Sequence, residues 1–266
     1  MVKPIFSNRT HSLFTSTISS QKNGETMLLG KPLERFIARR SFTWVVGSLW
    51  LGKEITSKKT EEVMDIILRL GVDHGPYVSG AMNTIVAARA GKDLVSALCS
   101  GLLTIGPRFG GATNAAAEVW FSSVKESKKP ADVVEEYAKA KKYIPGIGHK
   151  QYRIDIPDPR VRDLAERYDG GRYLNYARKI EAITTKKKPN LILNIDGAIG
   201  AIMLDLLERE EKLTNEQITV LLDAQFMDGL FVLSRSVGFI AHYFDQRRLH
   251  EGLFRMPVEH IFTPEQ

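Results

Sequence analysis

Only one cysteine, Cys99, occurs in the 266 residues, which excludes an internal disulfide and fits a reducing compartment. The six histidines show no metal-ligand spacing, so no metal is expected. No apolar run has membrane length. The longest candidate, Leu191 to Leu207, is interrupted by Asn194, Asp196 and Asp205. Near the start, Lys3 and Arg9 precede a Thr/Ser-rich stretch that lacks the continuous apolar centre of a secretory signal. A soluble, cytoplasmic protein with no membrane partner is the expectation. The net charge is +6 and the pI about 9.3, yet lysines and arginines are scattered among acids rather than gathered in a stripe. Neither a basic helix face nor a basic stretch interleaved with aromatics is present, which argues against a nucleic-acid partner, and a small ligand with several carboxylates and phosphates suits the charge balance equally well. Sequence repeats, low-complexity tracts and a glycine-rich nucleotide cradle are absent as well.

What remains is dominated by helical punctuation. Residues 12–30 alternate around Lys22-Asn23-Gly24-Glu25, and an Asn-Gly pair in that setting predicts a β-hairpin. From Leu33 onward the pattern changes period. Val63, Ile66, Ile67 and Leu70 recur at i, i+3, i+4 and i+7, and Gly71 stands where a helix would be capped. Further helices are expected over Val78–Ala90, over Ala112–Lys125, after Pro130, after Asp158-Pro159, after a Thr214/Gln217 capping box, and over Phe226–Leu249. The expected fold class is mainly α.

Chemistry-bearing side chains sit at the breaks between helices. His74 lies in Asp73-His74-Gly75-Pro76, and His149 ends Pro145-Gly146-Ile147-Gly148-His149. The glycines of that second string remove side chains and open the backbone to close approach. Asp196 sits in the apolar stretch Pro189 to Gly197, where burial would raise its pKa and make it a usable acid or base; it reads equally as the N-cap of an Ala198–Leu207 helix. Arg235, inside the apolar Leu233–Phe239 stretch, demands an anion: either a structural carboxylate or a substrate. Arg160 and Arg255 carry no signal taken singly.

Taken together, these strings resemble the citrate synthase superfamily. Asp73 to Pro76, Gly106-Pro107-Arg108-Phe109-Gly110, Pro145 to His149 with Asp158-Pro159-Arg160, Asn194-Ile195-Asp196, Ser234-Arg235-Ser236-Val237-Gly238 and Arg255-Met256-Pro257 follow its motifs in order over most of the chain. Where ordinary citrate synthases have a second catalytic histidine in G-P-x-H-G, this chain has Phe109. The lyase module of ATP-citrate lyase has phenylalanine there, and Ala90 to Leu94, Ser100 to Gly106, Lys187 to Asn194 and His242-Tyr243 resemble it too.

The resemblance implies a multi-helical fold with an N-terminal tail and hairpin (1–35), a large domain in two parts (36–117 and 226–266) and a small domain (118–225). It implies cleavage of citryl-CoA to acetyl-CoA and oxaloacetate, the second half of a two-step ATP-dependent citrate cleavage as in the reductive TCA cycle. His74, His149 and Asp196 would be catalytic, with His149 as base and Asp196 as acid. Arg160, Arg235, Arg255 and Phe109 would face the oxaloacetate portion, Arg255 from a second subunit of a dimer or a tetramer. Backbone amides of Pro145, Gly146, Ile147 and Gly148 would receive coenzyme A, and Lys141, Lys142, Lys150, Lys186, Lys187 and Lys188 would meet its phosphates. No tightly bound cofactor is implied, and a citryl-CoA synthetase would supply the substrate. Condensation to citrate, or a non-catalytic CoA-binding assembly role, are the alternatives.

Overall fold

The Asn23-Gly24 pair turns the chain as expected. In the computed structural model β1 (Ser19–Lys22) and β2 (Glu25–Leu28) are antiparallel, and the two turn residues have φ of 52° and 80°. Both are left-handed, the requirement of the primed turn that matches strand twist. A short third strand, β3 (Lys31–Pro32), joins β2 in the order β1-β2-β3. The structure describes residues 15–38, 40–106, 109–168 and 170–264. Lys3, Arg9, the first residues of the expected hairpin run (12–14), and Pro107 and Arg108 of the Gly106 string lie outside them.

The chain divides into two compact units, residues 1–61 and 62–266. In the first, α1 (Glu34–Ile37) and α2 (Phe42–Leu51) bring Phe36 against Trp44, ring centroids 5.5 Å apart, and the indole N–H of Trp44 donates to the Ile55 carbonyl. Helix α3 (Lys58–Gly71) leads into the second unit and ends as the Gly71 signal predicts.

The second unit holds α4 (Ser79–Arg89), α5 (Leu94–Leu102), α6 (Ala112–Lys125), α7 (Pro130–Lys139), α8 (Pro159–Arg167), α9 (Arg172–Lys187), α10 (Ile195–Arg209), α11 (Asn215–Asp223) and α12 (Phe226–Arg248). Helix α10 is its centre. Ala198, Ala201, Ile202, Met203, Leu204, Leu206 and Leu207 have no exposed surface, because α6, α8, α9 and α11 pack around it. A helix apolar on every side is stable only when so enclosed. Gly200 lets α6 come close: a Cβ there would lie 2.9 Å from the Thr113 carbonyl. Buried Asp205 of α10 caps α9 from outside, accepting the amides of Tyr173 and Leu174 at 3.0 and 3.1 Å. The N-cap position of α9, Gly171, has no side chain to do this. Helix α12 packs on α4, α5 and α6. Among the described residues no helix is long and apolar enough to cross a membrane.

Candidate active site

Three backbone breaks deliver the candidate residues. The first follows α3. There Asp73 bends back so that its Oδ2 accepts the Gly75 amide at 3.0 Å, and Gly75 takes a φ of 95° that favours glycine. This leaves His74 on a tight turn, its ring 6.1 Å from that of Tyr77.

The second and third breaks are bound to each other. Gly146 (φ 80°) rests on Gly197, where a Cβ on Gly146 would come within 2.6 Å of the Gly197 Cα. The amide of Asn194 donates to the Gly146 carbonyl at 3.0 Å, and the side-chain amide of Asn194 donates to the Gly148 carbonyl at 3.0 Å. The His149 loop is therefore clamped to the start of α10, which carries Asp196. Two small residues at the crossing are what allow the backbones to meet.

Asp196 is not the cap of its helix. Asn194 caps it, its Oδ1 accepting the Gly197 amide at 3.0 Å, so the helix starts one residue before Asp196 rather than after it. Freed from capping, the Asp196 carboxylate takes the Thr113 hydroxyl from α6 at 3.0 Å. Protein encloses Asp196 on most sides while part of its surface stays reachable. Burial pushes its pKa up; the Thr113 hydroxyl and the charges of Arg160, Arg235 and His149 pull the other way and do not restore it.

Arg160 sits in the first turn of α8 and is gripped by the helix's own cap. Asp158 accepts the Arg160 amide, Nε and Nη2 at 3.0, 3.0 and 2.8 Å. Burial alone would lower the guanidinium's pKa, but Asp158 more than offsets it. Arg235 on α12 is different. It is only 6% exposed, and its Nε and Nη1 have no hydrogen-bond partner among the described residues. Its guanidinium stacks 4.9 Å over the ring of Phe231, which meets Phe109 edge-on at 5.8 Å. Burial lowers its pKa, against the attraction of Asp73 and Asp196. Phe109 thus packs against the ring that supports Arg235 and offers no donor.

Burial is the chief cause that lowers the pKa of both imidazoles; for His74 the charges of Arg160 and Arg235 add to it, and for His149 those of Arg160 and His74, against Asp158 and Asp196. His149 is further defined by its Nδ1, which accepts the amides of Gln151 and Tyr152 at 3.1 and 3.0 Å. The proton of the neutral ring must then sit on Nε2. In that tautomer His149 presents a donor at Nε2.

These mutual effects bring His74, His149, Arg160, Arg235 and Asp196 into one electrostatic neighbourhood. Arg255 is not part of it. Arg89 donates to the Gly252 carbonyl at 2.6 Å, pairs with Glu251 at 3.2 Å and lies over Phe254, fixing that stretch against α4, while Arg255 beyond it is exposed. Two of the Pro145 loop amides are engaged within the fold. Pro145 has no N–H, Ile147 donates to Ile144 and Gly148 to Ile192, because the loop must satisfy its own backbone where it pairs with residues 190–193. Of the six lysines, Lys142, Lys187 and Lys188 line one cavity of about 280 Å³ with Val134, Ile144, Ile147 and Leu191; Lys141, Lys150 and Lys186 are exposed outside its lining. Sequence reasoning misses Thr113 and Phe231, since neither belongs to a string that suggests chemistry. Among the described residues no group of three His, Cys, Asp or Glu could hold a metal ion.

The fold has close counterparts. The profile of the family described as citrate synthase, C-terminal domain, matches residues 18–256. The chain is 43% identical over 258 residues to the ATP-citrate synthase of Bos taurus, covering 95% of itself and 24% of that protein. It is 42% identical over 252 residues to a probable ATP-citrate synthase of Dictyostelium discoideum, covering 92% of itself and 40% of that protein. It thus spans about a quarter of the length of the animal relatives it matches. A mutant of Methanosaeta concilii ATP citrate lyase in complex with (3S)-citryl-CoA superposes with a TM-score of 0.90 at 40% identity, over 97% of this chain and 43% of that one. Citryl-CoA lyase from Hydrogenobacter thermophilus shares the fold, with a TM-score of 0.80 at 24% identity over 96% of both chains. The chain belongs to the citrate synthase family and is homologous to the C-terminal citrate synthase-like module of ATP-citrate lyase.

Proposed function

We propose that this protein cleaves citryl-CoA to acetyl-CoA and oxaloacetate by retro-Claisen chemistry. The observation that carries the reading is Arg235: a buried guanidinium with two unpartnered nitrogens, in the same neighbourhood as a carboxyl group that burial keeps toward its protonated form. An isolated buried cation is costly, and a substrate carboxylate would offset that cost. Arg160, already oriented by Asp158, would hold a second carboxylate.

As the carbon–carbon bond breaks, its electrons move toward the thioester carbonyl and form an enolate, while the tertiary hydroxyl becomes the ketone of oxaloacetate. Asp196, protonated, would deliver its proton to the enolate carbon and so make the acetyl methyl group. The Nε2–H of His149 would hold the tertiary oxygen as a donor. The hydroxyl proton needs an acceptor, and His74 suits that role, its pKa lowered by burial and no hydrogen bond committing its ring nitrogens among the described residues. Phe109 speaks against efficient condensation, because it supplies no donor for the enolate oxygen.

Coenzyme A is proposed to lie in the cavity beside the His149 loop, with its phosphates near Lys142, Lys187 and Lys188 and its apolar parts on Val134, Ile144 and Ile147. Ile147 links that cavity to the catalytic string. Lys141, Lys150 and Lys186 would add long-range attraction only. Arg255 would complete the oxaloacetate site of a second copy. Exposure of Leu253, Met256, Val258, Ile261 and Phe262 around it supports a covering partner. The division into a large domain (36–117, 226–266) and a small domain (118–225), the supply of citryl-CoA by a synthetase, and a role in the reductive TCA cycle belong to the same proposal.

The test supplies citryl-CoA and follows oxaloacetate through a malate dehydrogenase couple. Turnover that depends on Asp196 is the expected result, and an inert protein under these conditions overturns the reading.

A further inference from the structure

The turn that carries His74 is bound to α12 by more than packing. Three positions on one face of that helix receive it. Ser234 lies where a Cβ on Gly71 would approach to 2.8 Å, Gly238 leaves room for the Val72 carbonyl, and His242 places its Nε2 3.1 Å from Asp73 Oδ1. Residues 234, 238 and 242 are spaced by four, so they form one stripe, and Arg235 stands beside its upper end. A side chain at 238 would collide with the Val72 carbonyl, so the turn lies almost backbone to backbone on the helix.

Asp73 connects the two ends of this arrangement. One oxygen faces His242, and the other straps the turn through the Gly75 amide at 3.0 Å. Its pKa settles below the ordinary value: burial pushes it up, and the Gly75 amide, the His242 ring and the His74 amide together outweigh that. The carboxylate that shapes the His74 turn is thus tied to a side chain two turns along the helix from Arg235, at about 10 Å of axial distance. Without that tie Asp73, whose side chain is 40% exposed, could rotate into solvent and release the Gly75 amide.

We propose that His242 is a positioning residue: through Asp73 it locks the His74 turn to the helix that carries Arg235, so that the imidazole and the guanidinium address one bound substrate in fixed register. His242 itself touches neither substrate nor reacting atoms in this scheme. The inference rests on the lyase reading above, because His74 matters only if it acts on the substrate of that site.

The experiment compares His242→Phe, which keeps a ring and removes the donor, with His242→Gln, which keeps a donor at similar reach. In the citryl-CoA assay His242→Phe is expected to lower kcat about 10- to 100-fold with KM within about threefold, as small misplacements of a reacting group do, and His242→Gln to recover most of that loss. Asp73→Asn should lose a similar factor, and the double variant Asp73→Asn/His242→Phe little more than either alone. In parallel, the imidazole NMR signals of His74 should shift in His242→Phe and return in His242→Gln. A His242→Phe enzyme with unchanged kcat and an unmoved His74 spectrum overturns the inference. If the parent protein itself fails to cleave citryl-CoA, the lyase reading falls, and the His74 spectrum still decides whether His242 positions that ring.

Discussion

Arg235→Met offers the sharpest physical test, because it should make the protein more stable while removing the anion contact proposed for this side chain. The guanidinium is 6% exposed and two of its nitrogens have no hydrogen-bond partner among the described residues. Each buried donor left unmade costs about 1–3 kcal/mol. Stacking on Phe231 at 4.9 Å returns about 0.5–2 kcal/mol. Methionine matches the volume, keeps contact with the ring through its polarisable sulfur and carries no charge to desolvate. The balance predicts a variant more stable by about 1–3 kcal/mol, comparable to other replacements of buried charge by apolar groups, and about 2–4 °C in Tm for each kcal/mol. Thermal unfolding of the purified variant with and without oxaloacetate measures both halves. Oxaloacetate should raise the Tm of the parent and leave Arg235→Met unmoved, since losing a buried charge contact costs about 2–5 kcal/mol of binding, roughly 30-fold or more in Kd. A variant less stable than its parent would refute the reasoning, because the guanidinium would then be satisfied within the fold.

Asp196→Asn should reduce cleavage by about 10²–10⁴-fold, the usual worth of a positioned proton donor, while coenzyme A binding measured by calorimetry stays within a few-fold. Thr113→Val removes the hydroxyl that stabilises the Asp196 carboxylate, so the acid should hold its proton to higher pH; the alkaline limb of the kcat profile is expected to move upward, and a downward move would contradict the assignment. Asp205, fully buried beneath the start of α9, has its pKa raised from 3.8 to about 6, burial outweighing the two amides it accepts. A raised carboxylate pKa favours the fold below pH 3.8, and the advantage is lost as pH climbs through about 6. The parent should therefore lose on the order of 3 kcal/mol relative to Asp205→Asn between pH 4 and pH 7, read as the difference of their urea midpoints.

Local grammar is legible wherever neighbours in sequence satisfy one another. Asn23-Gly24 turns the hairpin, Asp158 caps the helix opened by Pro159, Thr214 and Gln217 make their box, and the helix expected over Ala112–Lys125 has those bounds. Each depends on hydrogen bonds within a few residues, which composition and spacing reveal. The cap of α10 escapes such reading because Asn194 and Asp196 are both good caps, and what decides between them is Thr113, which lies 83 residues away and claims Asp196.

The strings of residues by themselves determined the helical class and named the histidine, aspartate and arginine candidates, because those are matters of residue type and order. Tertiary structure decided their states. Enclosure pushes the Asp196 pKa up, the Tyr152 and Gln151 amides occupy Nδ1 of His149, the Ile147 and Gly148 amides are engaged within the fold, and two Arg235 nitrogens have no hydrogen-bond partner among the described residues. Dielectric surroundings and hydrogen-bond partners are set by atoms from distant parts of the chain, so a proton's position or a charge's cost becomes defined only when those parts meet.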